Sequence, residues 1–97
     1  MTTLPTLAEF RAIRDAYARA FCIAEIDTLT PLYEVLETNM LMALAVYQDA
    51  SKHDKPAALD ALKETGFALQ PISARLNTAR DMLARLDQRG ENHVSHD

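Results

Sequence analysis

The sequence predicts an all-α protein, arranged as an antiparallel bundle of three long helices. Its 97 residues are rich in alanine and leucine and contain only two glycines, Gly66 and Gly90, a composition that favours helix formation. Apolar residues recur at steps of three and four, which is the spacing of one helix face. The length indicates one domain, which we place at residues 1–90, and we expect residues 91–97 to form a flexible polar tail after Gly90.

The first predicted helix begins at a capping box. Thr6 is followed three residues later by Glu9, so each side chain can accept a hydrogen bond from the other residue's backbone N–H. The apolar residues that follow predict a core-facing stripe, with Arg11, Asp15 and Arg19 pointing away from the core. The members of that stripe are Leu7, Phe10, Ile13, Tyr17, Ala20, Phe21 and Ala24.

A second helix is predicted after a break at residues 27–31. Thr30 is a favourable N-cap, and Pro31 suits the first helical position because its missing N–H costs nothing there. This helix runs to about Ala50 and carries an apolar arc of about half its circumference, against about 100° for an ordinary amphipathic helix. One neighbouring helix cannot cover such an arc, so we expect a homodimer, with an interface of Leu32, Val35, Asn39, Met40, Leu41, Met42, Val46 and Tyr47.

Two members of this expected interface differ from the rest. Asn39 lies near the centre of the arc, where a buried asparagine can fix register and oligomeric state. The alternative is an asparagine whose amide is satisfied by a backbone carbonyl or by water. Leu41 projects to the opposite side of the helix, among the acidic residues Glu34 and Glu37.

The third helix is predicted from near Pro56, after a polar break at residues 51–56, to near Arg89. Two heptad series run through it, which is a coiled-coil-like register. Pro71 interrupts this segment, so the third helix is either kinked at Pro71 or split at Gln70 to give four helices. The two series are Leu62, Leu69, Leu76 and Leu83, and Ile72, Ala79 and Leu86.

The charges are distributed unevenly along the chain. The net charge is -4, which argues against binding to nucleic acid or to an anionic membrane. No lysine or arginine occurs between Ala20 and Ser51, whereas four arginines lie between Pro71 and Gly90. An acidic middle and a basic end are typical of complementary surfaces, within one chain or between two.

We predict no cofactor, metal or catalytic residue from the sequence. His93 and His96 have the spacing of metal ligands but lie on the polar tail, and Glu34 and Glu37 lack the Glu-x-x-His partner of carboxylate-bridged metal sites. The single cysteine, Cys22, and the lack of a signal peptide or membrane span favour a reducing compartment, and we expect the cytoplasm.

These features favour a non-enzymatic interaction protein, such as an adaptor, a chaperone-like factor or a small regulator. Its expected partners are a second copy of the chain or a helical segment of another protein. One alternative is a small helical-bundle enzyme for an anionic metabolite, which would need Arg11 or Arg14 to converge with Arg75 or Arg80 on one pocket. A nucleic-acid-associated regulator is a third hypothesis, which the acidic charge disfavours.

Overall fold

The protein is a hairpin of two long α-helices. The computed structural model describes residues 3–95, and it describes side chains as far as residue 89. Helix α1 spans Leu7–Asp49 and helix α2 spans Lys55–Ser95. The described chain is elongated, with extents of 74 × 32 × 16 Å. The prediction of an all-α fold is therefore confirmed, whereas the prediction of three long helices is wrong.

Four contacts between side chains show that the helices run antiparallel. Asp15 pairs with Arg89, Arg19 with Asp87 and Glu25 with Arg75, and at the other end the Lys55 ammonium lies 5.3 Å from the centre of the Tyr47 ring. In these four pairs, the number of the α2 residue falls as the number of the α1 residue rises. The two helices therefore face each other from the connection at residues 50–54 to the opposite end of the hairpin.

Helix α1 continues through the position where the sequence predicts a break. Pro31 lies inside the helix, and the Thr30 hydroxyl donates a 2.7 Å hydrogen bond to the Ile26 carbonyl instead of capping a new helix. An interior proline costs about 3 kcal/mol because it lacks an N–H and crowds the carbonyl four residues earlier. Pro31 is exposed, so water can reach that carbonyl, while Leu29 is 3% exposed and Tyr33 is half-buried against α2. Packing on both sides of the proline holds the helix together.

Helix α2 is likewise uninterrupted. Pro71 lies inside it on the exposed face, so the alternative that splits this segment at Gln70 is wrong. The helix also continues through Gly90 to Ser95, beyond the end near Arg89 that the glycine predicts. The division into a domain and a flexible tail at residues 91–97 stays a prediction.

The core is a single seam between the two helices. Its fully buried side chains are Leu76 and Cys22, each 1% exposed, and the seam on α2 follows the heptad series expected from the sequence. Three of the buried positions are small residues: Cys22, Ala58 and Ala79. The buried residues of the seam are Cys22, Leu29, Ala58, Leu69, Leu76 and Ala79.

The ends of the helices follow the local signals in the sequence. The predicted capping box is confirmed, because Glu9 N–H donates to the Thr6 hydroxyl at 3.1 Å and Thr6 N–H donates to the Glu9 carboxylate at 3.2 Å. In the connection, the Asp54 N–H donates to the Ser51 hydroxyl at 3.3 Å. The predicted polar break at residues 51–56 therefore agrees with the observed turn between Asp49 and Lys55.

Candidate interaction surface

The most distinctive surface of the molecule is an exposed apolar stripe along one flank of α1. At 100° per residue its members cluster roughly 110° around the helix axis from the seam with α2. Phe21 is 65% exposed and Tyr17 is 75% exposed, although both are side chains that proteins ordinarily bury. We call this set the outer stripe: Leu7, Phe10, Tyr17, Phe21, Leu32, Val35, Met42 and Val46.

The predicted interface residues lie on three different sides of α1. Five of them lie exposed on the flank that carries the outer stripe, namely Leu32, Val35, Asn39, Met42 and Val46. Met40 and Tyr47 are half-buried in the seam with α2. Leu41 is 53% exposed on another side of α1. The wide apolar arc is thus covered by α2 on one part and left exposed on the other.

In the first part of α1 the inward and outward faces are the reverse of those that the sequence predicts. The stripe from Leu7 to Phe21 was expected to face the core but is exposed, with Phe10 58% and Ile13 50% exposed. Asp15 and Arg19, which were expected to point away, instead form ion pairs with α2. When the helix is extended through residues 27–31, the apolar residues of the two predicted helices lie on one flank. The sequence prediction missed this alignment because it placed a break there.

A shallow groove of about 240 Å³ borders the outer stripe, between Phe21 and Met82. Cys22 and Ala79 line it, and the ion pair between Glu25 and Arg75 lies beside them. Met82 is itself 44% exposed, so the apolar surface extends from α1 onto α2 at this level.

A second groove, of about 530 Å³, lies where the helices end opposite the connection. It contains the side chains of Arg11, Arg19 and Arg89 on a floor of alanines and Leu86. Arg89 lies 3.6 Å from Asp15, which lines the same groove, and Arg19 pairs with Asp87. Acidic partners therefore offset part of the positive charge that an anionic ligand would need.

Two of the arginines that the enzyme hypothesis names, Arg11 and Arg75, line different grooves. The Arg75 guanidinium binds the Glu25 carboxylate at 2.8 Å, and Arg11 lies in the groove with Arg19 and Arg89. The pair between Arg75 and Glu25 joins the basic end of the chain to its acidic middle. The expected charge complementarity thus operates at this point within one chain.

The pKa of Tyr33 is perturbed by its surroundings. Hydrogen bonding to the Glu37 side chain raises the pKa of Tyr33 above its ordinary value of 10.0. The negative charge of Glu37 raises the pKa further, whereas the positive charge of Arg80 lowers it. The tyrosine therefore keeps its proton, and the residue that perturbs it lies one turn later on the same helix.

The two histidines that have the spacing of metal ligands lie at the end of the chain. His96 lies outside the described residues, and the side chain of His93 is not described. Within residues 3–89, no three histidine, cysteine, aspartate or glutamate side chains are grouped so as to hold a metal ion. No helix in the described part of the chain is long and apolar enough to cross a membrane.

Comparisons with protein-family models, with curated proteins and with solved structures find no match to this chain.

Proposed function

We propose that the protein is a non-enzymatic helical interaction protein, an adaptor, chaperone-like factor or small regulator, whose outer stripe packs against a helix of another polypeptide. The first such partner is a second copy of the chain, which makes the protein a homodimer. The observation that supports this proposal is the exposure of eight large apolar side chains on one flank of α1. A helical row of this kind is the usual element of helix-to-helix recognition.

The size of the outer stripe favours an interface. Large apolar side chains have areas of roughly 150–250 Å² each, so at the observed exposures the eight together present on the order of 1,000 Å². The largest apolar patch on an ordinary monomer is about 300–600 Å², and each partner in a standard interface buries about 800 Å². The stripe therefore exceeds the range of monomers and reaches that of a stable complex.

The shape of the molecule supports the same proposal. A two-helix hairpin has one seam, and each helix keeps more than half of its surface exposed to solvent. Its described core contains six buried apolar residues, which is a small core for a chain of 97 residues. A partner on the outer stripe would supply a second core. Cys22 is buried in the first seam as a free thiol, in keeping with a reducing compartment such as the cytoplasm.

Sedimentation equilibrium of the wild-type chain and of two glutamate variants tests this proposal. Phe21 on the outer stripe is 65% exposed and Phe67 on α2 is 67% exposed, so F21E and F67E are chemically matched. We expect the wild type and F67E to associate at micromolar concentration and F21E to remain a monomer with unchanged helix content. Equal association of F21E and wild type would contradict the proposal.

A further inference from the structure

We propose that the outer stripe pairs with the outer stripe of a second copy in antiparallel orientation, about a two-fold axis near Thr28. This inference rests on the proposed function and specifies its geometry. Three observations carry it: the spacing of the stripe, the distribution of side-chain size and the distribution of charge along α1.

Together with four intervening residues, the outer stripe has the spacing of a second coiled-coil seam. This combined series alternates at steps of three and four residues from Leu7 to Thr28, and the same alternation resumes from Leu32 to Val46. One extra step of four, between Thr28 and Leu32, is a stutter. It compensates the drift of a heptad series around the helix axis, so the series stays on one side of a nearly straight helix. The full series is Leu7, Phe10, Arg14, Tyr17, Phe21, Ala24, Thr28, Leu32, Val35, Asn39, Met42 and Val46.

Side-chain size favours a second copy in antiparallel orientation. The three aromatic residues of the stripe all lie before Thr28, whereas the residues after it are aliphatic or small. Thr28 is midway between Leu7 and Asp49, the ends of α1. Antiparallel pairing about this point places Phe21 opposite Val35 and Phe10 opposite Val46 of the second copy, so that these aromatic side chains meet smaller ones. Parallel pairing would stack aromatics on aromatics at one end only.

The same pairing gives two polar residues of the seam, Tyr17 and Asn39, a partner. Tyr17 and Asn39 are equally far from Thr28, so the phenol of one copy would lie opposite the amide of the other. Both residues are exposed in the hairpin. A polar residue within a coiled-coil seam selects the register in which it is satisfied, and Asn39 would select this one.

Charge selects the same orientation. Arg11 and Arg14 lie at the start of α1, whereas the helix carries no lysine or arginine after Arg19. Arg11 lines the groove between α1 and α2, whereas Arg14 lies on the side of the outer stripe. Antiparallel pairing brings Arg14 within about two helical turns of the point that faces Asp49 of the second copy. Parallel pairing would place the acidic halves side by side, and like charges at such an interface oppose binding.

Cysteine cross-linking under mild oxidation tests the orientation. Thr28→Cys places a thiol at the proposed axis. Met42→Cys places one on the same stripe, but in the antiparallel dimer the two substituted positions are about 42 Å apart. A disulfide requires Cα atoms within about 7 Å. We therefore expect T28C to form a covalent dimer, M42C to remain uncross-linked, and a mixture of R14C and M42C to form a mixed dimer.

The controls separate this inference from the proposed function. The wild-type chain, whose Cys22 is 1% exposed, is the blank, and Gln70→Cys on the exposed face of α2 measures collisional cross-linking. Cross-linking of M42C as efficiently as T28C would overturn the antiparallel arrangement and leave the proposed function intact. A wild-type chain that stays monomeric in sedimentation equilibrium would overturn both this inference and the homodimer.

Discussion

The Arg75 guanidinium donates a 2.8 Å hydrogen bond to the Glu25 carboxylate and joins two residues that lie fifty positions apart in the sequence. The Glu25 side chain is 20% exposed and that of Arg75 is 56% exposed. The bond lies near the middle of the hairpin, beside the buried Cys22 and Ala79 of the seam.

Loss of this pair should lower stability only modestly. We expect Glu25→Gln to reduce the free energy of unfolding by about 0.5 kcal/mol, because a partly exposed ion pair contributes about 0.2–1 kcal/mol. The effect should shrink at high salt and vanish in an Arg75→Gln background. Urea denaturation of the double-mutant cycle measures it, with Glu64→Gln on the exposed face of α2 as the control. A coupling free energy of zero at low salt would show that the contact does not stabilise the hairpin.

The seam should tolerate truncation far less than the exposed surface does. Leu76 is 1% exposed, and Leu76→Ala should cost about 2–5 kcal/mol because it removes buried methyl groups and leaves a cavity. Leu41 is 53% exposed, and Leu41→Ala should change stability by less than about 0.5 kcal/mol. Thermal unfolding followed by circular dichroism compares the two. Equal losses would mean that the seam is not the main core.

Replacement of either interior proline should stabilise the protein. Pro31 and Pro71 both lie inside helices and are exposed, so alanine would restore a backbone hydrogen bond without disturbing the seam. We expect each substitution to raise the free energy of unfolding by about 1–3 kcal/mol. Pro5→Ala, before the start of α1, is the control and should be close to neutral. A destabilised Pro31→Ala variant would favour a helix that ends at that point.

The hydrogen bond from Tyr33 to Glu37 should be visible in the titration of the tyrosine. Glu37→Gln removes the negative charge and should lower the pKa of Tyr33 toward its ordinary value, whereas Glu34→Gln should leave it unchanged. NMR of ring-labelled tyrosine follows each of the three tyrosines separately. Because the folded pKa is raised, the pair stabilises the fold fully at pH values below the unfolded pKa, and this stabilisation is lost as pH rises through the folded pKa. A pKa that Glu37→Gln leaves unchanged would contradict the assignment.

Glutamate substitutions at two neighbouring positions should separate folding from association. Met42 is 63% exposed on the outer stripe and Leu41 is 53% exposed away from it, so both M42E and L41E should fold as hairpins with wild-type helix content. Only M42E should lose association, because burying a carboxylate in an interface costs several kcal/mol. Light scattering on both variants measures this difference. An M42E variant that unfolds would instead place Met42 in the core.

The sequence predicts the local features of this fold better than its topology. The capping box at Thr6 and the heptads of α2 depend on neighbouring residues, and both are found as predicted. The break at Pro31 is wrong because proline opposes helix only locally, while the packing of Leu29 and Tyr33 against α2 acts on both sides of it. The packing therefore outweighs the local effect of the proline, and this packing cannot be deduced from residues 27–31 alone.

The sequence predicts the outer stripe only in part, because it shows which residues are apolar but not which of them α2 covers. Val35, Met42 and Val46 belong to an arc whose width alone indicates two surfaces, and they lie exposed on the outer stripe. Phe10 and Phe21 were assigned to the core because the stripe of an isolated helix shows only that one face is apolar. Which face meets α2 is set by the seam as a whole, where Asp15 and Arg19 find partners.

The short connection at residues 50–54 has a consequence for how the chain folds. Once this turn closes, each further pair of seam residues joins next to a pair already formed, so no long loop has to be ordered in a single step. Because each new pair then closes only a small additional loop, the two helices should close progressively from Tyr47 and Lys55 toward the opposite end. That end has alanines, Asp15 and Arg19 where the middle of the seam has leucines, so it should be the last part to close and the first to open.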